Sequence, residues 1–332
     1  MKFIFPPKIA LAHLPTPIQK LSRLTAQLDG PDIFVKRDDF TGIECSGNKV
    51  RKLEFVAAYA LQEQCDVLIT CGGIQSNHSR ATVAVASQLG LKSHLVLRGT
   101  ASDVPSGNLF LDQLLGAKIT YLSNPSYENL IDEMERLAQD YAKQGHKALV
   151  IPMGASNALG SLGYVAAIQE MMGQFQNMAL TPDYIVAATG SGGTLAGLIL
   201  GKKLFGLSSQ IIGVNVCNDA AYFHQEIAHI VREFCERYQV DINVEKEDYR
   251  IIDGYVGAGY ALSRPQEREF IVQVARTEGI VLDTVYTGKA LHGLTQEIQK
   301  GMFKQGETIL FIHTGGLYAL FANPAEFIVE LR

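Results

Sequence analysis

Short apolar runs rich in β-branched residues alternate with longer helical patterns almost to the end of the chain. This alternation limits the fold more than any other feature. Ile33–Val35, Val67–Thr70, His94–Leu97, Ala148–Ile151, Tyr184–Ala187, Ile211–Val214 and Ile309–Ile312 are nearly continuous in apolar residues and read as buried strands. Between them, Lys49–Gln62 carries Leu53, Val56, Ala57 and Ala60 at i, i+3, i+4, i+7 spacing. Ser79–Leu89, Tyr127–Lys143, Leu162–Phe175 and Thr194–Phe205 are also helix-like. Strands that lack in/out alternation and are joined by helices predict an α/β fold of parallel sheets covered on both faces. At 332 residues the chain exceeds what one core serves, so two domains are expected. No Pro/Ser/Gly-rich linker separates them. Glycine-containing turns at 45–48 and 153–156 bracket about a hundred residues that could form a smaller βα unit.

Composition removes several function classes. A hydrophobic fraction of 47% against 19% charged residues excludes a disordered chain. Lys+Arg 29 against Asp+Glu 34, with no basic block, argues against nucleic acid as a partner. The 5 cysteines are scattered and never form a C-x-x-C pair, which fits a reducing cytoplasm and neither a disulfide framework nor a zinc site. The histidines lack metal-ligand spacing, so no metal is expected. The N-terminus reads as no signal peptide, and no apolar stretch is long enough for a membrane span. A cytoplasmic protein is expected.

Four segments carry chemistry. Ala188-Thr189-Gly190-Ser191-Gly192-Gly193-Thr194 follows a strand and opens a helix, where free N–H groups, the helix dipole and the Ser191 and Thr194 hydroxyls favour a phosphate. Leu195 stands where a dinucleotide fingerprint needs its third glycine, and no Gly-Lys-Ser/Thr follows, so one compact phosphate fits best. The alternative is a tight turn with no ligand. Lys49 falls at a helix start near Arg51 and Lys52. The dipole and neighbouring cations there disfavour its ammonium form, which makes a lysine a usable amine; the alternative is a solvated lysine. Ser76-Asn77-His78 follows two glycines at a strand's carboxyl end, where a carboxylate could be held; the alternative is a plain helix cap. Taken alone, Tyr286 reads as a core phenol and His313 as a strand-end histidine.

Together these segments resemble the pyridoxal-phosphate enzymes grouped as 1-aminocyclopropane-1-carboxylate deaminase and D-cysteine desulfhydrase. The resemblance is carried by Leu14-Pro15-Thr16-Pro17-Ile18, Val35-Lys36-Arg37-Asp38-Asp39, the run 46–54 through Ser46-Gly47-Asn48-Lys49, and Gly72-Gly73-Ile74-Gln75-Ser76-Asn77-His78. Ile280-Val281-Leu282-Asp283, Val285-Tyr286-Thr287-Gly288-Lys289 and His313-Thr314-Gly315-Gly316 complete it.

The resemblance implies the fold type II architecture shared with tryptophan synthase β: two open, twisted parallel-sheet domains, usually in a homodimer. We assign residues 1–46 plus 165–332 to the larger, cofactor-binding domain and 47–164 to the smaller one. It further implies that Lys49 holds pyridoxal 5′-phosphate as a Schiff base, with Gly190, Ser191, Gly192, Gly193 and Thr194 around the phosphate and Asn77 on the 3′ oxygen. Ser76 and His78, with nearby amides, are expected to grip the carboxylate of an amino-acid substrate. Tyr286 and Tyr260 are expected beside that substrate, with Ser76 as an acid/base on the far face and Lys49 taking the α proton. Ring-opening members carry glutamate after the tyrosine matching Tyr286 and leucine between the residues matching His313 and Gly315. Here Thr287 and Thr314 stand there, near the ring nitrogen, and His78 replaces the glutamine usual in that branch. A neutral hydroxyl gives a milder electron sink than a carboxylate, sufficient for β-elimination of a thiol. The expected activity is therefore D-cysteine desulfhydration to sulfide, pyruvate and ammonia. The alternatives are the cyclopropane deaminase, elimination from another β-substituted amino acid such as cysteate, and a non-catalytic phosphate- or amino-acid-binding protein.

Overall fold

A computed structural model describes residues 3–331. Its strands are β1 (Ile18–Lys20), β2 (Asp32–Lys36), β3 (Val67–Gly73), β4 (Lys92–Arg98), β5 (Lys118–Leu122) and β6 (Ala148–Ile151), followed by β7 (Tyr184–Thr189), β8 (Gln210–Asn215), β9 (Tyr249–Ile252) and β10 (Thr308–Ile312). They form a six-stranded sheet, ordered β1-β2-β10-β7-β8-β9, and a four-stranded sheet, ordered β5-β4-β3-β6.

Each apolar run read from the sequence lies inside a strand. Three strands escaped that reading, β1, β5 and β9, and all three lie at sheet edges. Edge strands keep one flank in water and so do not need continuous apolar sequence; β5 is partly exposed along its whole length. All pairings are parallel except β1 with β2, an antiparallel edge of the kind mixed α/β sheets often carry. Helices at Gly107–Leu114, Ala220–Tyr238, Pro265–Glu278 and Thr287–Gln299 were also not singled out. Two of them carry start signals. The Asp219 side chain accepts from Tyr222 N at 2.8 Å, and Pro265 occupies the first turn of its helix.

One hydrophobic cluster runs through both sheets' territory. It joins Leu53, Val56 and Ala57 of the helix Asn48–Gln62 to Leu162, Val165 and Ile168 of Ala158–Met178, and to Ile185 and Leu310 of the larger sheet. Within it lies a buried ion network. Arg51 donates to Asp38 through Nε (2.9 Å) and Nη2 (2.8 Å), and to Glu170 through Nη1 (2.8 Å). Asp38 also accepts from Tyr164 (2.6 Å) and Thr16 (2.8 Å), and Lys36 pairs with Glu170. Burial alone would raise the Asp38 carboxyl, but Arg51, Lys36 and the Tyr164 hydroxyl together hold it below its ordinary value. The network ties the end of β2 to two helices, one of which begins at Asn48.

Removing one partner of such a network leaves an uncompensated buried charge. Asp38→Asn is therefore expected to lower the unfolding free energy by about 3–5 kcal/mol in urea denaturation. A loss below about 1 kcal/mol would show that the network carries no more than an ordinary hydrogen bond.

Candidate active site

Lys49 lies in the first turn of the helix Asn48–Gln62, which begins at Gly47. Gly47 has φ +86°, and a Cβ there would meet the Thr314 carbonyl at 2.5 Å, so the close approach of this loop to the end of β10 requires glycine. Asn48 N then donates to Thr314 O at 3.1 Å. The Lys49 amine is pushed down to about 8, and the cause is burial. This corrects the cause read from sequence, in which neighbouring cations shared. Arg51 turns away into the Asp38–Glu170 network, and it is Lys52 that feels the Lys49 charge.

Opposite this helix start, Gly190–Thr194 leads from β7 into the helix Gly193–Phe205. The two segments are joined directly: Asn48 Nδ2 donates to Thr194 Oγ1 at 3.0 Å across 146 residues of sequence. Ser156 reaches in from the turn after β6, sharing a hydrogen bond with Ser191 Oγ (2.8 Å) and accepting from Gly193 N (3.2 Å). A Cβ on Gly193 would lie 2.7 Å from Ser156 Oγ and 2.8 Å from Lys52 Nζ. The Lys52 amine therefore sits against this helix N-terminus. It is fully buried, donates to Gly154 O at 3.0 Å, and is pushed well down by burial and then by Lys49. A buried amine at the positive end of a helix is a place for an anion. Lys52, Asn48 and Ser156 were missed in the sequence reading. For Lys52 the available signal was its spacing, one turn beyond Lys49 on the same helical face.

Ser76, Asn77 and His78 start the helix Asn77–Gln88 after β3. Ser76 is its N-cap and accepts from Ser79 N at 3.1 Å, so the cap reading holds, yet the hydroxyl keeps its own proton to donate. The backbone N–H groups of Asn77 and His78 fall in the first turn, where the helix supplies no partner. Asn77 Oδ1 accepts from buried Asn108 at 2.9 Å, which leaves the Asn77 amide nitrogen turned the other way. The expectation for the His78 side chain needs revision. Thr70 Oγ1 donates to Ile151 O (2.8 Å) and accepts from His78 Nε2 (2.9 Å), and burial, Lys49 and Lys52 push the imidazole well down. A neutral ring committed to Thr70 offers a carboxylate no charge; the backbone amide of His78 is what remains for it.

The fourth segment closes the site. A Cβ on Gly190 would meet the Tyr286 ring at 2.8 Å, which places that phenol against the glycine loop. The Tyr286 and Tyr260 hydroxyls share a hydrogen bond of 2.6 Å. Burial, then Tyr260, raises Tyr286 well above its ordinary value, so it remains a protonated phenol. The Asp283 carboxylate accepts from the backbone N–H groups of Val285, Tyr286 and Thr287. It also takes the Thr287 hydroxyl proton at 2.6 Å, so of the two threonines only Thr314 keeps a hydroxyl without a partner among the described residues.

These residues fit pyridoxal phosphate. An amine of depressed pKa stands on a helix start bonded to a glycine cradle that a single Cβ would fill, and a second, buried amine stands at the cradle's own helix start. The family model described as pyridoxal-phosphate dependent enzyme matches residues 9–315. The chain belongs to that family.

Within it, this enzyme is 42% identical over 322 residues to the Arabidopsis thaliana protein named bifunctional D-cysteine desulfhydrase/1-aminocyclopropane-1-carboxylate deaminase, mitochondrial, covering 94% of this chain and 79% of that protein. It is 41% identical over 323 residues to a Thermotoga maritima protein provisionally named 1-aminocyclopropane-1-carboxylate deaminase, covering 97% and 100%. The crystal structure of an ACC deaminase homologue superposes with TM-score 0.90 at 35% identity, covering 98% of this chain and 96% of that one. A threonine deaminase isoform from Solanum lycopersicum, at 16% identity and TM-score 0.64 over 92% of this chain and 80% of that one, shares the fold. The enzyme is thus a member of the deaminase/desulfhydrase group with the fold type II architecture and pyridoxal phosphate as cofactor.

Two measurements test this geometry. In the cofactor-free protein a native Lys49 amine near 8, against an ordinary 10.5, means that the unfolded chain binds more protons between those values. Stability contributed at this site therefore rises with pH from about 8 to 10.5. Comparing denaturation midpoints across that window, Lys49→Met should flatten the rise; an identical slope in both proteins would refute the buried amine. Gly193→Ala should weaken pyridoxal phosphate binding to the cofactor-free protein by about tenfold, because overpacking costs about 1–3 kcal/mol. Unchanged affinity in an absorbance titration would place the phosphate elsewhere.

Proposed function

We propose that this enzyme is a D-cysteine desulfhydrase, releasing sulfide, pyruvate and ammonia from a free amino acid. The observation that carries the reading is the convergence of Lys49, the Gly190–Thr194 cradle and the Tyr260–Tyr286 pair. Thr287 and Thr314 supply neutral hydroxyls where ring-opening members carry glutamate and leucine. In this reading the smaller domain spans 47–164 and the larger one 1–46 plus 165–332. The protein works in the cytoplasm as a homodimer, a reading supported by five free cysteines and by the family resemblance. No helix among the described residues is long and apolar enough to cross a membrane.

Pyridoxal phosphate, when bound, supplies an electron sink for the pair left at the substrate's α carbon. Lys49 would hold the cofactor through its Nζ, and the same Nζ is the base that takes the substrate's α proton. Its depressed pKa makes it half neutral near pH 8. Ser76 Oγ and the amides at the start of Asn77–Gln88 hold the substrate carboxylate, and Ser76 is the acid/base of the far face. The Asn77 nitrogen, fixed by Asn108, would donate to the cofactor's 3′ oxygen. Lys52, Asn48, Ser191, Thr194 and the N–H groups of Gly190, Gly192 and Gly193 would hold the phosphate. Tyr286, protonated and joined to Tyr260, offers its proton to the departing sulfur. Thr314 would offer its free hydroxyl to the cofactor's ring nitrogen, while the Thr287 proton is committed to Asp283.

Ring opening of 1-aminocyclopropane-1-carboxylate is the second reading, favoured by the Arabidopsis relative whose name carries both activities. Sulfide and 2-oxo acids are to be measured with D-cysteine, L-cysteine, cysteate and the cyclopropane amino acid. D-cysteine is expected to have the highest kcat/KM, by about tenfold or more over the cyclopropane substrate. Turnover of the latter with none of D-cysteine would reverse the assignment, and full activity in Lys49→Ala would remove the mechanism altogether.

A further inference from the structure

Lys289 is 0% exposed and lies in the first turn of the helix Thr287–Gln299, directly after Tyr286. A buried cation at the positive end of a helix is unfavourable on two counts, desolvation and dipole. Both acceptors of its ammonium come from one loop: Val256 O and Gly259 O, each at 2.7 Å. That loop joins β9 to the helix Pro265–Glu278 and carries Tyr260. It has no ladder or helix of its own, and Gly257, Gly259 and Ala261 all have positive φ (+70°, +133° and 60°). Two turn bonds lie within it, Gly259 N to Val256 O (3.4 Å) and Leu262 N to Gly259 O (3.2 Å), and the Lys289 ammonium adds the outside support on the same two carbonyls.

We propose that Lys289 is a positioning residue, an ammonium tether that holds the 256–261 loop so that the Tyr260 hydroxyl meets Tyr286. This rests on the reading above in which the tyrosine pair faces the substrate. One helix start then sets both phenols. Tyr286 is fixed through its backbone N–H, which donates to Asp283 at 2.8 Å. Tyr260 is fixed through the Lys289 ammonium three residues further along. Two donors on one point charge define where the loop can lie, whereas the isolated loop, rich in left-handed residues, has many conformations open to it.

The test uses the cofactor-loaded enzyme with D-cysteine. Lys289→Met is expected to lower kcat by about tenfold to a hundredfold, the scale of an ångström-sized misplacement. Lys289→Gln, which keeps N–H donors, should lose less. Affinity of the cofactor-free protein for pyridoxal phosphate should change by less than about threefold, since the tether does not touch the cradle. In a Tyr260→Phe background the same Lys289→Met change should cost less than about threefold further, because the two act as one unit. Amide exchange over 256–262 should quicken in the cofactor-free Lys289→Met protein while that over 190–194 is unchanged. Equal losses in both backgrounds, or parental kcat and parental exchange in Lys289→Met, would overturn the tether alone. A parental kcat in Tyr260→Phe itself would remove the tyrosine reading, and the purpose of the tether with it.

Discussion

The site depends on a guanidinium buried between two carboxylates. Arg51 sits one half-turn past Lys49, and its bonds to Asp38 and Glu170 fix the roll of the helix that presents the amine. If that helix turned, Lys49 and Lys52 would move together, because they lie one turn apart on a shared face. The anchor also keeps the guanidinium's carboxylates away from the amine. Arg51 meets its own counter-ions elsewhere, so Lys49 is desolvated without being paired, and a desolvated, unpaired amine is a nucleophile at moderate pH.

The rest of the constellation follows the same rule, in which a backbone device places each reactive side chain. Gly47 lets the lysine helix start against β10, the Ser76 cap aims two free amides, and Asp283 takes three successive N–H groups to seat Tyr286. All three starts follow or adjoin the carboxyl ends of parallel strands, where helix N-termini gather in open α/β sheets. The tyrosine loop alone lacks such a device, which is why a buried lysine is found holding it.

Much of this was legible in the chain. Strands buried on both faces, such as β3 and β7, are spelled out by unbroken apolar runs, and the strand-to-helix turn at Gly190–Thr194 is marked by its glycines. Of the edge strands only β6 was legible, because half-exposed segments such as β5 resemble any amphipathic stretch. Pairings formed by tertiary distance were equally hidden. Nothing local to Asn48 says that it will meet Thr194, and the spacing of Lys52 from Lys49 gives its helical face but not the second helix start its amine meets. His78 shows the same limit: a histidine in a polar run reads as part of a grip on a carboxylate, but only the fold shows Thr70 and two lysines around its ring.

Lys49, Lys52 and His78 share one interior neighbourhood, each with its protonated form disfavoured by burial and none with a carboxylate to balance it. A dianionic ester arriving there both relieves that electrostatic frustration and bridges segments drawn from three parts of the polypeptide. Loading and folding are thus thermodynamically linked, and ligand occupancy adds directly to conformational stability. Where the cofactor is scarce, a larger fraction of the chain would stand open to proteolysis.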